Sequence, residues 1–522
     1  MPFWRIDRGI GRDAAQSGGV GIRHPEEAGN VWPADLQMSV RRNTLYNLAG
    51  SLAPMAVSLV TIPIYLRTIG VARYGILSIV WLFIGYFAVF DLGLSRATSY
   101  HLARLADRPD EERSRVFWTA LVLNTGFGIV GGLVLYPIAA VCFSHLFKMP
   151  SGLKAEVLAS LPWLALSVPV ATIGGALSGA LDGRMRFAFS NGVNLLGTTI
   201  AQVIPLGAAL LFGPELTHVI PAAIIARLVG MIPLFVGVIL FVPAGWPRRA
   251  NLGVIRELFN YGGWVSISNL ITPLLGTLDK MLIGVVLGAA DVAYYTIPDR
   301  LVQRGSVVPA AIVRALFPSM AATTAEHAQE QAKSALEVVS AALTLIVAAG
   351  ILAMPLFFRL WINAEFAKVA TPIGIVLALG IYVNGIAHVP SSLLQARGRV
   401  DLTAKFHMIE IVPHVIWLYL ALHYFALLGA ASAMFLVCAL DAFLLCSASQ
   451  LRIWRQRGFW ISAAILTLCA LSSLELSPEN PRTYMIYGFD LLAAASYAVL
   501  SVPPLRRLLS LPASLRAKQT VQ

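Results

Sequence analysis

Long apolar runs alternate with short polar segments along most of the chain. A helix of about 20 residues crosses the hydrocarbon core of a bilayer, and these runs have that length. The pattern therefore predicts an all-α polytopic membrane protein with about 14 transmembrane helices. The predicted spans are 44–66, 75–97, 117–141, 157–181, 191–213, 218–242, 263–287, 292–316, 336–361, 370–394, 404–425, 428–449, 459–475 and 484–504.

The composition agrees with a membrane protein. Hydrophobic residues make up 57% of the chain and charged residues 13%, whereas a soluble chain carries about 25% charged residues. The net charge of +12 would suggest nucleic acid in a soluble protein. Here arginine and lysine lie mostly in short loops, so we expect no nucleic-acid partner. Because positively charged loops stay in the cytoplasm, the same residues predict that both termini are cytoplasmic.

Pairs of residues recur at nearly one offset and indicate an internal duplication. The separation of Pro54 and Pro273 along the chain differs by a single position from that of Gly70 and Gly288. Each pair has the same position relative to its predicted helix hairpin. Six helices separate the copies, so both copies have the same orientation in the membrane, with an axis along the membrane normal.

A second landmark supports the duplication. Asp182-Gly183-Arg184 ends the fourth predicted span and Arg397-Gly398-Arg399 ends the tenth, at an offset only slightly shorter than that of the first landmark. A rotation of about 180° is therefore expected to superpose 44–242 on 263–449. The predicted domains are a disordered cytoplasmic tail (1–40), an N-terminal lobe (41–250), a C-terminal lobe (251–452), two further helices (453–510) and a second cytoplasmic tail (511–522).

The N-terminal segment is polar and contains no apolar run of the kind that a secretory signal peptide needs. Met38 directly precedes the first predicted span and is a second candidate start beside Met1. We expect a deletion of 1–37 to leave the function of the chain intact.

Five charged residues lie inside the seventh and eighth predicted spans: Asp279, Lys280, Asp299, Arg300 and Arg304. A charge at the centre of a membrane helix costs roughly 2.5–3.5 kcal/mol even on the mildest scale, and such residues persist when they pair or face water. They therefore predict a polar path through the membrane. We expect Asp279 to pair with Arg300 rather than with its neighbour Lys280.

Four basic side chains are predicted to form one cationic zone near mid-depth. Arg300 and Arg304 are one turn apart on the same face of a helix, and Lys280 and Arg227 lie at similar depth. Guanidinium groups bind phosphate bidentately. The zone is therefore a candidate binding site for a phosphorylated substrate.

Acidic residues and a histidine inside the spans are candidates for ion coupling: Asp91, Asp279, Glu410, His414 and Asp441. Buried carboxylates and histidines bind and release protons when their environment shifts their pKa values. The gradient used would be of protons or sodium. The alternatives are that Glu410, His414 and Asp441 form a static hydrogen-bonded cluster, with His407 on the same helix face, and that Asp91 is a helix-end partner of Arg96.

Prolines in mid-span are tolerated in membrane helices and kink them. Because Pro54 and Pro273 occupy matching positions in the two copies, we expect both to be hinges of an inner gate.

Several kinds of chemistry have no counterpart in the sequence. No GxxxxGK[ST] motif occurs, so the chain has no nucleotide-binding P-loop of its own. HExxH is also absent, and the four cysteines stand without CxxC spacing or histidine companions. We therefore predict no catalytic residues, no metal site and no cofactor.

Short motifs in both copies resemble a known group of transporters. The first pair of spans contains Pro63-Ile64-Tyr65-Leu66, Tyr74-Gly75 and Asp91-Leu92-Gly93-Leu94 with Ala97; the second contains Ser268-Asn269, Asp279-Lys280, Ile283-Gly284 and Leu287-Gly288. Over about 40–504 the chain resembles the multidrug/oligosaccharidyl-lipid/polysaccharide (MOP) exporter superfamily, in its polysaccharide-transport branch of O-antigen flippase type.

This resemblance implies a V-shaped transporter of two lobes that moves its substrate without changing it chemically. The implied substrate is an oligosaccharide linked to undecaprenyl pyrophosphate, carried across the bacterial inner membrane for exopolysaccharide, capsule or O-antigen synthesis. It also implies a monomer that works beside the polymerase and export machinery of the same pathway.

Three alternatives remain open at this stage. A drug or cation antiporter of the same superfamily is expected to have an acidic, aromatic cavity. A lipid II flippase is poorly separated from the leading interpretation by the sequence alone. A membrane-embedded sugar polymerase or glycosyltransferase is expected to carry a sizeable external loop with catalytic residues.

Overall fold

A computed structural model describes residues 34–87, 91–105, 108–242, 255, 277–475 and 480–501, with side chains from residue 54 onward. All of the regular elements in these ranges are helices, as an apolar environment requires, because a helix satisfies its own backbone hydrogen bonds. They are α1 (Ala34–Phe87), α2 (Leu94–Arg104), α3 (Asp110–Val141) with a π-helical turn (Cys142–Leu146), α4 (Ser151–Gly183), α5 (Phe187–Phe212), α6 (Leu216–Phe241), α7 (described over 277–286), α8 (Ala289–Val302) with a 3₁₀ turn (Gln303–Ser306), α9 (Val307–Ala322), α10 (Ala325–Trp361), α11 (Ala364–Ala396), α12 (Val400–Ala448), a 3₁₀ turn (Ile453–Arg455), α13 (Arg457–Glu475) and α14 (Pro481–Ser501).

Within the described ranges, 11 helical segments are long and apolar enough to cross a membrane. The predicted class, an all-α polytopic membrane protein, is confirmed. The count of 14 stays a prediction. The chain reverses direction inside α1 and inside α12, and each of these helices is counted as one segment although it has two arms.

The first reversal is at Gly70, whose φ of 80° is a left-handed conformation that glycine adopts without a Cβ penalty. Tyr65 and Trp81 lie on opposite sides of it, and their ring centroids are 6.0 Å apart. In a straight helix these positions would be about 24 Å apart. From residue 54 onward, the two arms of α1 therefore form an antiparallel hairpin.

The second reversal is at Ala426, with φ 48° and ψ −132°. Behind it, Gly429 packs so closely on Ala421 that a Cβ on the glycine would overlap the Ala421 carbonyl. The predicted spans 404–425 and 428–449 are thus the two arms of α12.

The helices pack in two groups that follow chain order. Helices α2 to α6 pack on one another, and α1 joins this group through the Arg73–Glu156 ion pair with α4. Helices α8 to α14 do the same, and α7 joins them through the Lys280–Asp299 ion pair with α8. The boundaries of the predicted lobes, and their superposition, stay predictions.

The duplicated landmarks have comparable conformations. Gly70 and Gly288 both have positive φ, 80° and 139°. In the second landmark, the left-handed residues are Met185 and Gly398. The offset from Met185 to Gly398 is therefore slightly shorter than the offset between the two sequence motifs.

The two groups of helices meet at the ends that the distribution of positive charge predicts to lie outside. The Lys148 Nζ donates to the Val286 carbonyl at 2.6 Å, and the Lys148 amide donates to the Gly284 carbonyl at 3.3 Å. Gly75 of α1 lies against the backbone of Ala289 in α8, so closely that no Cβ would fit. A cavity lies between the two groups, beyond this contact.

Candidate substrate-binding cavity

The cavity has a volume of about 550 Å³ and is lined by residues from both groups of helices. One wall comes from α1, α5 and α6, and the other from the end of α8, its 3₁₀ turn and the start of α9. The lining includes Pro54, Met55, Ser58, Leu59, Thr61, Ile62, Tyr65, Tyr74, Trp81, Thr198, Ala201, Gln202, Arg227, Ile297, Asp299, Arg300, Leu301, Gln303, Arg304, Ser306 and Val307.

Three of the four predicted cationic residues line this cavity: Arg227 from α6, Arg300 from α8 and Arg304 from the 3₁₀ turn. Across the described ranges, none of the three forms an ion pair with an acidic side chain. The guanidinium of Arg300 lies over the ring of Trp81, 5.5 Å from its centroid. Within the described residues, the donors of all three side chains are thus left available to an anion inside the cavity.

Arg300 and Arg304 do not lie on one continuous α-helix, as the straight-helix interpretation assumed. The α-helix ends at Val302, and Gln303–Ser306 form a 3₁₀ turn. Pro309 has no amide proton for the carbonyl of Gly305, which explains the local loss of α-helical bonding. Arg314, beyond the turn, is exposed and does not line the cavity.

Lys280 is held away from the cavity wall in a buried ion cluster. Its Nζ lies 3.2 Å from the Asp279 Oδ2 and 3.0 Å from the Asp299 Oδ2, and it also lies over the ring of Tyr295. The predicted pairing of Asp279 with Arg300 is therefore wrong. The side chains of neighbouring residues on a helix point in different directions. The lysine side chain is long and flexible enough to fold back and reach both carboxylates.

An aromatic group that the sequence analysis did not single out lines the cavity on the side of α1. The ring centroids of Tyr65, Tyr74 and Trp81 are 6.0–6.1 Å apart, in tilted and edge-to-face arrangements. The Tyr65 hydroxyl donates to the Gln202 carbonyl at 2.7 Å, and Ser58 donates to the side-chain oxygen of Gln202 at the same distance. Both tyrosines belong to the quoted transporter motifs, which is the signal that could have identified them.

Asp91 has a structural contact of its own. Its carboxylate accepts hydrogen bonds from the Ser95 amide at 3.1 Å and from the Ser95 hydroxyl at 2.6 Å. A carboxylate at this position satisfies a free amide of the first turn of α2. The alternative partner, Arg96, makes no ion pair with it in the described part of the chain. A role for Asp91 in ion coupling stays a prediction.

The acidic candidates on α12 meet a histidine, but a different one from His414. The His407 Nδ1 lies 3.6 Å from the Glu410 Oε2 and 3.8 Å from the Asp441 Oδ1. His414 is buried on the same helix, outside this group, and its Nδ1 has no hydrogen-bond partner among the described residues. Coupling through Glu410, His414 and Asp441 stays a prediction.

Of the two predicted hinges, Pro54 lies in α1 and lines the cavity. The Ser58 hydroxyl, which contacts Gln202, also lies 2.8 Å from the Pro54 carbonyl. Pro273 lies outside the described residues. The hinge role of both stays a prediction.

Comparison with known families decides the kind of protein that carries this cavity. The family model described as "Polysaccharide biosynthesis protein" matches residues 40–324, more than half of the chain. The chain belongs to this family. The matched region contains Arg227, Arg300 and Arg304, so the three cavity arginines all lie in the part of the chain that the family model covers.

Relatives of this family member include the "Putative O-antigen transporter" of Shigella flexneri. It is 27% identical over 418 residues, which cover 78% of this chain and 97% of that protein. The fold is shared with solved transporters. The structure titled "Lipid II flippase MurJ, inward closed conformation" has a TM-score of 0.64, with 12% identity, 88% of this chain and 98% of that chain covered.

A multidrug resistance MATE family transporter of the MOP superfamily, in an inward-facing conformation, has a TM-score of 0.59 and 15% identity. The alignment covers 79% of this chain and 94% of that chain. This family member therefore has the fold of MOP-superfamily transporters.

Proposed function

We propose that this protein is a flippase that moves an oligosaccharide repeat unit, linked to undecaprenyl pyrophosphate, from the cytoplasmic to the periplasmic leaflet of a bacterial inner membrane. The product would supply exopolysaccharide, capsule or O-antigen synthesis. Its family membership and a relative named as an O-antigen transporter support this class of substrate.

One observation carries the proposal: three arginines without acidic partners in the described chain line one cavity between membrane helices. Burying a positive charge in a membrane is costly unless the charge pairs or faces water. A pyrophosphate brings negative charge and oxygen acceptors that match the planar guanidinium fork. The three arginines, held on two different groups of helices, are thus suited to hold the diphosphate of a lipid carrier during its passage.

The same observation weighs against a drug or cation antiporter, whose cavity would attract cations. It does not separate an oligosaccharide carrier from lipid II, because both substrates contain a pyrophosphate. The relatives named above are transporters rather than enzymes, which leaves the polymerase and glycosyltransferase alternatives without support. The energy source would be a proton or sodium gradient, and the termini would lie in the cytoplasm.

Substitution of the cavity arginines tests this function. Removing a charged hydrogen-bond partner costs about 1.5–3 kcal/mol, so Arg300→Ala and Arg304→Ala are each expected to reduce polymer export by roughly one to two orders of magnitude. Arg304→Lys keeps the charge without the fork and is expected to retain more export. Arg314→Ala is the matched control, because Arg314 is exposed and lies outside the cavity wall.

The measurement is surface polysaccharide and drug resistance side by side, at matched membrane levels of each variant. Lipid-linked oligosaccharide accumulating in the cytoplasmic leaflet would support the proposal. Accumulation of peptidoglycan precursors instead would identify lipid II as the substrate. Normal polymer output in both alanine variants would refute the cationic cavity as the transport site.

A further inference from the structure

The two arms of α12 bring a second polar cluster together, away from the cavity. Glu410 precedes the reversal at Ala426 by nearly the same number of residues as Asp441 follows it. Because the arms are antiparallel, residues equally far from the reversal lie at the same height. The hairpin therefore places the two carboxylates level with each other.

His407, one turn before Glu410, completes the cluster. Its Nδ1 is 3.6 Å from the Glu410 Oε2 and 3.8 Å from the Asp441 Oδ1, and the three ligand atoms all lie within 4.8 Å of one another. Both carboxylates are buried, at 5% and 8% exposure, while the His407 side chain is 51% exposed. The two carboxylates are thus buried, and the cluster is accessible from the side on which the His407 imidazole lies.

The cluster lacks the partners that two buried carboxylates normally have. Among the described residues, the Glu410 Oε1 and the Asp441 Oδ1 have no hydrogen-bond partner, and no lysine or arginine pairs with either side chain. Burying an ionised carboxylate without a paired charge is strongly unfavourable. A positive charge between these oxygens, from the imidazolium of His407 or from a bound cation, would offset this cost.

We propose that His407, Glu410 and Asp441 form a three-ligand site for a divalent transition-metal cation such as Zn²⁺. One imidazole nitrogen and two carboxylate oxygens are ligand types that zinc accepts, with a fourth position left to water. Ligand distances of about 2.0–2.2 Å in a tetrahedral site put neighbouring ligand atoms about 3.4 Å apart, close to the separations in this cluster. The cation would neutralise both carboxylates and tie the arms of the α12 hairpin together.

This site is independent of the pyrophosphate cavity, and it departs from the sequence analysis, which predicted no metal. Metal alone is the probe. The full-length protein, purified without a polyhistidine tag and reconstituted in nanodiscs, is treated with chelator and titrated with Zn²⁺ and Co²⁺. We expect one equivalent to bind per chain, with the visible absorption of four- or five-coordinate Co²⁺ and a rise in the thermal unfolding temperature.

Ligand variants localise the site. His407→Ala, Glu410→Gln and Asp441→Asn are each expected to raise the Kd at least about tenfold. His407 is half-exposed, so its replacement leaves the fold intact and keeps the test decisive. The matched controls are His423→Ala, an exposed histidine of the same helix, and Asp401→Asn, an exposed carboxylate paired with Lys405; both are expected to bind as the parent protein does.

The proposal is overturned if the parent protein binds no stoichiometric metal, or if His407→Ala and Glu410→Gln bind it unchanged. Equal loss of binding in His423→Ala would also overturn it, because the metal would then lie elsewhere. These readouts do not depend on transport, so failure here leaves the flippase proposal standing, and failure of that proposal leaves this one standing.

Discussion

At the scale of single residues, the basic side chains inside the spans have two kinds of environment, with and without acidic partners. Arg227, Arg300 and Arg304 have no acidic partner among the described residues, whereas Lys280 has two, Asp279 and Asp299. Asp299 belongs to both environments, since it bonds Lys280 and also lines the cavity. The buried cluster therefore fixes the helix that carries Arg300, and the arginines remain available to a ligand.

This arrangement predicts a large stability effect at Lys280. Lys280→Met leaves two buried carboxylates without their cation, and breaking a buried ion pair from one side costs about 3–5 kcal/mol. We expect a marked fall in the thermal unfolding temperature and in the yield of folded protein. Adding Asp299→Asn is expected to recover part of the loss, because one uncompensated charge is removed.

The control for that prediction is Lys405→Met, which removes an exposed ion pair with Asp401. Exposed pairs contribute about 0–1 kcal/mol, so its unfolding temperature should stay close to that of the parent protein. If Lys280→Met were equally harmless, the cluster would not be holding α7 to α8.

At the scale of elements, the reversals decide which helices become neighbours. The hairpin of α12 turns at Ala426, a residue with a side chain in a backbone conformation that glycine adopts more readily. Such a conformation costs a non-glycine residue about 1–3 kcal/mol. The surrounding packing, including the contact of Gly429 on Ala421, holds the turn in place.

Ala426→Gly is accordingly expected to stabilise the protein, by roughly 1 kcal/mol, as it relieves the strained turn. A glycine at Ala430, which is fully buried inside the following helical arm, is the matched comparison. That change is expected to destabilise by about 1 kcal/mol through the low helix propensity of glycine. Apparent unfolding temperatures in detergent measure both, and a drop for Ala426→Gly would show that the turn is not strained.

At the scale of the whole molecule, the two groups of helices touch at one end, and the cavity lies between them beyond this contact. Gly75 against Ala289 and Lys148 against 284–286 form this contact. Positive charge predicts that this end is outside, so the cavity would face the cytoplasm in this conformation. A flippase that loads its substrate from the cytoplasmic leaflet needs such a conformation.

Gly75→Val is expected to force this contact apart, because its side chain would meet the Ala289 backbone. A cysteine at the fully buried Val292 of α8 reports the change. Its labelling by a membrane-impermeant maleimide, read at position 292 by mass spectrometry, is expected to rise several-fold. Gly85→Val is the control, since a Cβ on that glycine of the same helix meets nothing within 4 Å; equal labelling in both variants would contradict the prediction.

The sequence by itself determined the membrane class and the chemistry of the spans. Apolar runs of bilayer length predict the fold class. A charge in hydrocarbon is costly, so the charged residues Arg227, Arg300 and Arg304 inside these runs are candidates for function. The quoted motifs also contained Tyr65 and Tyr74. These inferences rest on the periodicity and composition of single helices, which the chain displays directly.

Only the tertiary structure decided which side chains meet. It placed Lys280 with Asp279 and Asp299 instead of in the cavity, and His407 rather than His414 with Glu410 and Asp441. Helical periodicity fixes the depth and direction of a residue on its own helix. Contacts between helices depend on where the chain reverses, where a proline interrupts it and how far a flexible side chain reaches, and those are settled only when the helices pack.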